Sequence, residues 1–299
     1  MSTKPSRIVT RPDFDGVVCA VLLYEALDIQ SAVKWVQPND VQMRRVDIRP
    51  GDVIANLPYH PQCTLWFDHH YSNRIDIPFQ GAFDIAPSAA RVIYTYFDGR
   101  FSESLQELLV ATDRIDAAEL TLDEILHPEN HPYVLLSMTF GGGNDREAPY
   151  WDHLVDLLRH HPVEKILEDE QVLNRCHRTL KENSAYVHHL KAHTTLDGHI
   201  SITDFRELET VPEGNRFLVY SLFPESVVNV KIFHNQDKTV VKLGHSILNR
   251  GCRVNVGKLL SAYEGGGHRG AGACRFHQSK TDRYLPQILD ALRQNQPNE

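Results

Sequence analysis

Cysteine is scarce and scattered. The 299 residues include five (Cys19, Cys63, Cys176, Cys252 and Cys274), an odd number with no CxxC pair. That excludes a disulfide framework and a zinc ribbon, and it suits free thiols in a reducing compartment. No apolar run reaches the roughly 18 residues that a membrane helix needs, and the opening "MSTKPSRIVT" lacks the apolar core of a signal peptide. A soluble cytoplasmic protein with no membrane partner is expected. Basic charge is short as well: 31 Lys and Arg against 39 Asp and Glu leave a net charge of −8. A broad basic face that neutralises many phosphates is therefore excluded, and with it a binder of long nucleic acid. A short anion in a local pocket stays open. Internal repeats, low-complexity tracts and coiled-coil heptads are also missing.

What is present is a globular composition, 41% hydrophobic and 23% charged, with length enough for two domains. The first third reads as βα units. Residues 7–10 form a short apolar strand that ends in "RPDFDG". "VVCAVLLYEAL" (17–27) is apolar nearly all round, as a buried crossover helix would be. "DVIANL" (52–57) and "CTLWF" (63–67) are continuous apolar runs, the pattern of strands covered on both faces in a parallel sheet. "PSAARVIYTYF" (87–97) and "SESLQELLVATDRI" (102–115) predict helices opened by Pro or Ser. From about 150 to 191 the pattern is helical and polar. Strand patterns then return in "ISITDF", "RFLVYSLF", "VVNVKIF" and "KTVVKLG", followed by a helix "NVGKLLSAY" (255–263) and a glycine-rich segment. The expected fold class is α/β: a parallel-sheet N-terminal domain (1–150), a helical connector (151–194) and a smaller mixed α/β domain (195–299).

In an open parallel sheet, ligands bind beyond the carboxyl ends of the strands. Three expected strand ends carry polar groups: Arg11, Asp13, Asp15 and Gly16 after the first, Asn56 in the second, and Asp68, His69 and His70 after the third. Carboxylates with imidazoles suit Mn²⁺, Zn²⁺ or Mg²⁺, and no thiolate lies close in sequence to favour softer metals. Gly16 would open a helix whose first N–H groups favour an anion. Two bland alternatives stand beside this reading. "DFDG" is also a turn sequence, and in a chain with 17 histidines a solvated or core-satisfied His pair is an ordinary event.

A second cluster is "EGGGHRGAGAC" (264–274). Its small residues allow close backbone approach and an anion nest, with Arg269 as a planar fork for phosphate; a glycine C-cap with a flexible loop is the alternative. "GGGNDRE" (141–147) lacks the context and the Lys-Ser/Thr of a P-loop and reads as a mobile loop. His160-His161 and His188-His189 fall on helical, charged segments and read as exposed faces.

With "DFDG", "DHH" and "GGGHRGAGA" in this order, the chain resembles the DHH phosphoesterases over nearly its whole length, catalytic domain and associated C-terminal domain together. Its length is most similar to the stand-alone oligoribonuclease and exopolyphosphatase-like members. The resemblance implies a phosphohydrolase with two Mn²⁺ or Mg²⁺ ions in the cleft between the domains. Asp13 and Asp15 match the acids of the first motif, while its leading position is Arg11 instead of His or Asp. Asn56 falls where the family has a metal-bridging Asp. Asp68, His69 and His70 match in full: His69 as metal ligand, His70 facing the substrate phosphate, Asp68 supporting a ligand from behind. Asp113 best matches the fourth motif, with Asp116 as the alternative. In the C-terminal domain Gly266, Gly267, His268 and Arg269 match the substrate loop, and Arg250 or Ser246 is placed to add to it.

Each departure adds about one positive charge, together about that of one divalent ion. A one-metal site is expected, with Asp15, His69 and Asp113 retained. Arg11 would pair with Asp13 or clamp a phosphoryl oxygen. The substrate would be a small phosphate ester or anhydride: a short oligonucleotide, a nucleotide phosphate or polyphosphate. The rival is a catalytically degraded sensor that binds phosphate or nucleotide without turnover. A homodimer is compatible with either.

Overall fold

Five short strands, β1 (Arg7–Thr10), β2 (Lys34–Trp35), β3 (Asp52–Ala55), β4 (Leu65–Asp68) and β5 (Gly81–Phe83), make the first sheet, in the order β2-β1-β3-β4-β5. Every neighbouring pair is parallel, so all five carboxyl ends lie along one edge. The structure is a computed structural model and describes residues 4–98, 101–140 and 145–298. Residues 141–144, most of the "GGGNDRE" segment, lie outside the described residues.

β3 is buried along its whole length, and Trp66 and Phe67 of β4 are fully buried, which accounts for their unbroken apolar sequences. The crossover helix Phe14–Ala26 is buried from residue 14 to residue 23, as its all-round apolar pattern requires. It packs against the helices Ala89–Tyr96, Glu103–Asp116 and Ala148–His160. Gly81 opens β5 at φ +117°, and a Cβ there would lie 2.0 Å from the Trp66 carbonyl oxygen. Only glycine lets β5 approach β4 so closely.

The second sheet has six strands in the order β10-β11-β9-β8-β7-β6, with β6 (Thr194–Asp197), β7 (Ile200–Asp204), β8 (Val228–Asn235), β9 (Lys238–His245), β10 (Gly265–Gly267) and β11 (Ala271–His277). Only β7 and β8 are parallel within it. Its core combines Val228, Val230, Ile232, Val241, Leu243 and Phe276 with Leu260 of the helix Val256–Ser261 and Ile288 and Leu292 of the helix Thr281–Gln294. The whole is therefore α/β, a parallel sheet followed by helices and a mixed sheet.

The chain divides into two compact units, Met1–Glu119 with Pro128–His177, and Leu120–His127 with Arg178–Glu299. Sequence patterning placed a helical connector over 151–194; the division falls inside the 24-residue helix Glu170–His193, within that span. One expected strand is a helix. "RFLVYSLF" contains Leu218–Leu222 in helical form, because Asn215 starts it: its side chain accepts from the Phe217 N–H (3.0 Å) and its carbonyl from the Leu218 N–H (3.1 Å). Among the described residues no helix is long and apolar enough to cross a membrane.

Candidate active site

The carboxyl edge of the first sheet gathers the polar residues that follow β1, β3 and β4. Asp15, in the first turn of the crossover helix, is buried with no exposed side-chain surface. Its two carboxylate oxygens accept from the backbone N–H groups of Ala89 and Ala90, both at 2.9 Å. These N–H groups open the helix Ala89–Tyr96, where the macrodipole favours an anion. One turn along, the Cys19 thiol donates to Asp15 Oδ1 (3.7 Å), and burial beside these carboxylates pushes that thiol far up.

His69 follows β4, with its Nδ1 2.9 Å from the Ala86 carbonyl oxygen. A carbonyl can only accept, so Nδ1 carries a proton and donates to it, which turns Nε2 towards the carboxylates. That Nε2 is buried and makes no hydrogen bond, although Asp116 Oδ2 lies 3.3 Å away and Asp15 Oδ2 3.9 Å away. Asp15, His69 and Asp116 each offer a ligand atom within 4.8 Å of the others, a set that could hold a metal ion. Burial, reinforced by the charges of Asp15 and Asp13, pushes the Asp116 carboxyl up to about 8. An orphaned imidazole nitrogen between carboxylates that repel one another is an arrangement a divalent cation relieves.

Asp13 lies outside this set. As N-cap of the crossover helix it accepts from the Gly16 N–H (2.9 Å), and the Asn56 amide donates to the same oxygen at 3.0 Å. Arg11 pairs with its other oxygen at 3.0 Å. Protein groups thus occupy the carboxylate that the sequence offered as a metal ligand. Burial raises Asp13 to about 6 against the opposing pull of Arg11. Asn56 has φ +55°, a left-handed conformation that asparagine tolerates better than most residues.

Asp113 also stands apart. Its carboxylate takes the Arg91 fork (Nε at 2.8 Å) and the Ser88 hydroxyl at 2.6 Å. Both acids lie near the end of the helix Glu103–Asp116, and it is Asp116 that reaches the metal-competent set. Ser88 in turn caps the helix that holds Asp15, accepting from the Arg91 N–H at 3.0 Å. Asp113 therefore braces the cap. Asp68 is fully buried and receives His70 Nδ1 (2.8 Å) on one oxygen and the Asn73 amide (2.7 Å) on the other, which fixes the His70 ring.

Sequence reading missed Asn73, Ser88, Arg91 and Cys19. The available signals were weak: a Ser directly before a helical pattern, and a Cys one turn after Asp15.

In the second unit the three glycines are a strand, β10, paired with β11. A Cβ on Gly267 would lie 2.4 Å from the Ala271 carbonyl oxygen, and one on Gly257 2.3 Å from the Gly267 oxygen. Those absent side chains let the hairpin close on the helix Val256–Ser261, so the segment is not a flexible loop after a cap. A Cβ on Gly266 would meet nothing within 4 Å. His268 and Arg269 are exposed on the hairpin connection, and Arg250 is exposed too. Ser246 is buried, accepting from the Asn249 N–H at 3.0 Å, which makes it part of a turn.

No family model matches the chain, and no curated protein matches it. Solved structures do. The pGpG-specific phosphodiesterase PggH from Vibrio cholerae is 31% identical, with a TM-score of 0.83 over 97% of this chain and 100% of that one. An exopolyphosphatase-related protein from Bacteroides fragilis shares the fold at 10% identity (TM-score 0.59, 98% of this chain, 94% of that one). RecJ from Thermus thermophilus in complex with Mn²⁺ does so at 12% identity (TM-score 0.60, 98% of this chain, 52% of that one). A parallel sheet whose carboxyl edge carries a carboxylate–imidazole set, followed by a mixed-sheet unit, defines a phosphoester-hydrolase class of protein. The chain belongs to the DHH phosphoesterase family.

Proposed function

We propose that the protein is a metal-dependent phosphodiesterase of short linear nucleotides, working with one divalent ion, Mn²⁺ or Mg²⁺, held by Asp15, His69 and Asp116. The observation that carries this reading is His69 Nε2, buried and without a hydrogen bond, 3.3 Å from Asp116 and 3.9 Å from Asp15. Similarity to a pGpG-specific phosphodiesterase supports a dinucleotide-sized substrate. When bound, such an ion stabilises charge on the phosphoryl group and lowers the pKa of water.

The chain's own residues do the rest. The N–H groups of Ala89 and Ala90 hold the Asp15 carboxylate in place. His70, its ring fixed by Asp68, which the Asn73 amide holds from the other side, faces the substrate phosphate. Arg11 keeps Asp13 neutralised and takes over part of the electrostatic role of a second ion. Within the second unit, exposed His268, Arg269 and Arg250 are residue types suited to phosphate, and a Cβ on Gly266 would meet nothing within 4 Å.

Calorimetric titration of the pure protein with Mn²⁺ should give one tight site. Two tight sites of equal affinity would defeat the one-metal assignment. Turnover of pGpG, 3′-phosphoadenosine 5′-phosphate, pyrophosphate and polyphosphate, with His69→Ala as control, tests the rest. The full engagement of Asp13 by Arg11, Asn56 and Gly16 favours one rival, a degraded sensor. Ligand binding with no turnover on any of these substrates in excess Mn²⁺ would decide for it.

A further inference from the structure

A cavity of about 330 Å³ opens at the carboxyl end of β2, lined by Pro12, Trp35, Gln37, Asp40, Arg45 and Trp151 among others. That is the lower end of the range for small-molecule sites. It adjoins the candidate active site through Pro12, which lies between Arg11 and Asp13. Asp15 is three residue steps along from Pro12, at most about 11 Å of chain, which is within the reach of one nucleotide.

Trp35 is held in place before any ligand arrives. Its ring meets the buried Trp151 edge to face (centroids 5.6 Å, 68°), and its Nε1 donates to Asp152 Oδ1 at 2.9 Å. A fixed indole beside a cavity is a stacking platform with little entropy left to lose. Arg45 and Asp40 stand together at the rim, 3.7 Å apart and each well exposed, a loose pair whose groups can turn to a ligand. They present a cationic donor beside an anionic acceptor. Guanine carries the complement, with O6 as acceptor next to the N1–H and N2–H donors. Adenine puts an amino donor where guanine has O6, and so faces the arginine with the wrong group.

We propose that this cavity is a guanine subsite: the base stacks on Trp35, Arg45 donates to O6, and Asp40 accepts from N1–H and N2–H. The assignment rests on the phosphodiesterase reading only for the substrate being a nucleotide, so it can be tested without turnover. The chain has three tryptophans, and Trp66 and Trp151 are 0% and 1% exposed, which leaves Trp35 to report a ligand.

With Mn²⁺ present, guanosine 5′-monophosphate should quench tryptophan fluorescence saturably. Adenosine 5′-monophosphate should bind at least about tenfold more weakly, and inorganic phosphate should not quench. Arg45→Ala, at an exposed side chain that does not endanger the fold, should bring the two nucleotides to similar affinity. Trp35→Ala removes the reporter, so it is read by equilibrium dialysis of labelled guanosine monophosphate, where affinity should fall at least about fivefold, the low end for one lost base stack. Quenching by phosphate equal to that by the nucleotide, no saturable quenching, or an unchanged guanine preference in Arg45→Ala would each overturn the subsite. Saturable, guanine-selective quenching in a protein that turns over none of the phosphodiesters would uphold the subsite while removing the enzyme reading.

Discussion

Asp13 shows what the two departures at Arg11 and Asn56 do to a neighbouring carboxylate, one residue at a time. Its carboxylate keeps the position that the first motif gives it, and Arg11, Asn56 and the Gly16 N–H all engage its oxygens. Putting an acid at Asn56 would exchange a donor 3.0 Å from Asp13 for a second negative charge. Asn56→Asp should therefore destabilise the metal-free protein by about 1–3 kcal/mol, the cost of a lost hydrogen bond to a charged group. Mn²⁺ should recover that loss, because a cation can sit between the two acids. Thermal melts with and without Mn²⁺ read both effects; a variant as stable as the parent without metal would mean that Asn56 does not neutralise Asp13. His69 as a candidate ligand was legible in "DHH", since residue type alone nominates an imidazole. The choice between Asp113 and Asp116 was not. Both lie in the last turn of one helix, and only the position of Arg91, from another helix, decides which acid is taken up elsewhere.

At the scale of elements, the site depends on a helix that contributes no ligand. Ala89–Tyr96 offers two N–H groups to Asp15, and Ser88 caps it while accepting support from Asp113. Ser88→Ala should cost about 1 kcal/mol of stability, the usual loss of a cap, measured by urea denaturation. It should also weaken Mn²⁺ binding, since the cradle for Asp15 loosens; unchanged affinity would separate the cap from the site. A second element-scale test concerns β8. Lys231 there lies over the rings of Tyr186 and Phe205 and donates to the Tyr186 hydroxyl and the Pro212 carbonyl, both at 3.3 Å. Burial, with Lys242 nearby, lowers its pKa to about 8, so between pH 8 and its ordinary range near 10.5 the unfolded chain binds more protons than the folded one. Stability gains as pH rises through that window, and below it the buried charge carries its full cost. Lys231→Met should thus raise Tm at pH 7, by on the order of 2 kcal/mol in stability, with the gain shrinking towards pH 10. A gain independent of pH would assign the effect to packing.

The same scale explains what the sequence concealed. β3 and β4 were legible because burial on both faces writes itself as an unbroken apolar run. "RFLVYSLF" misled because β-branched and aromatic residues mark buried helices as well as strands, and Asn215 decided between them. β10 could not be read, since three glycines have little strand preference and pair only because β11 lies beside them.

For the whole molecule, the change from alternating β and α patterns to clustered strands announced two α/β parts, but not the segment that crosses from one to the other. A 24-residue helix runs through the division, and the segment Leu120–His127 belongs to the second unit although the chain returns to the first after it. Local periodicity carries no trace of such a return. Net charge is the property that belongs to the molecule as a whole, and it limits how substrate is held. With 39 acids against 31 bases the surface repels a polyanion, so affinity has to come from a few local contacts. A binder of long nucleic acid releases one counterion for each phosphate it neutralises, and its affinity falls steeply with salt. A dinucleotide offers only a few phosphates, so log KM against log salt concentration should have a slope of about 1 to 2. Long single-stranded DNA should compete poorly even at about 50 mM salt. A slope of about 5 or more, or strong competition by long DNA, would require a basic tract that this composition does not supply, and would place the enzyme with the nucleases instead.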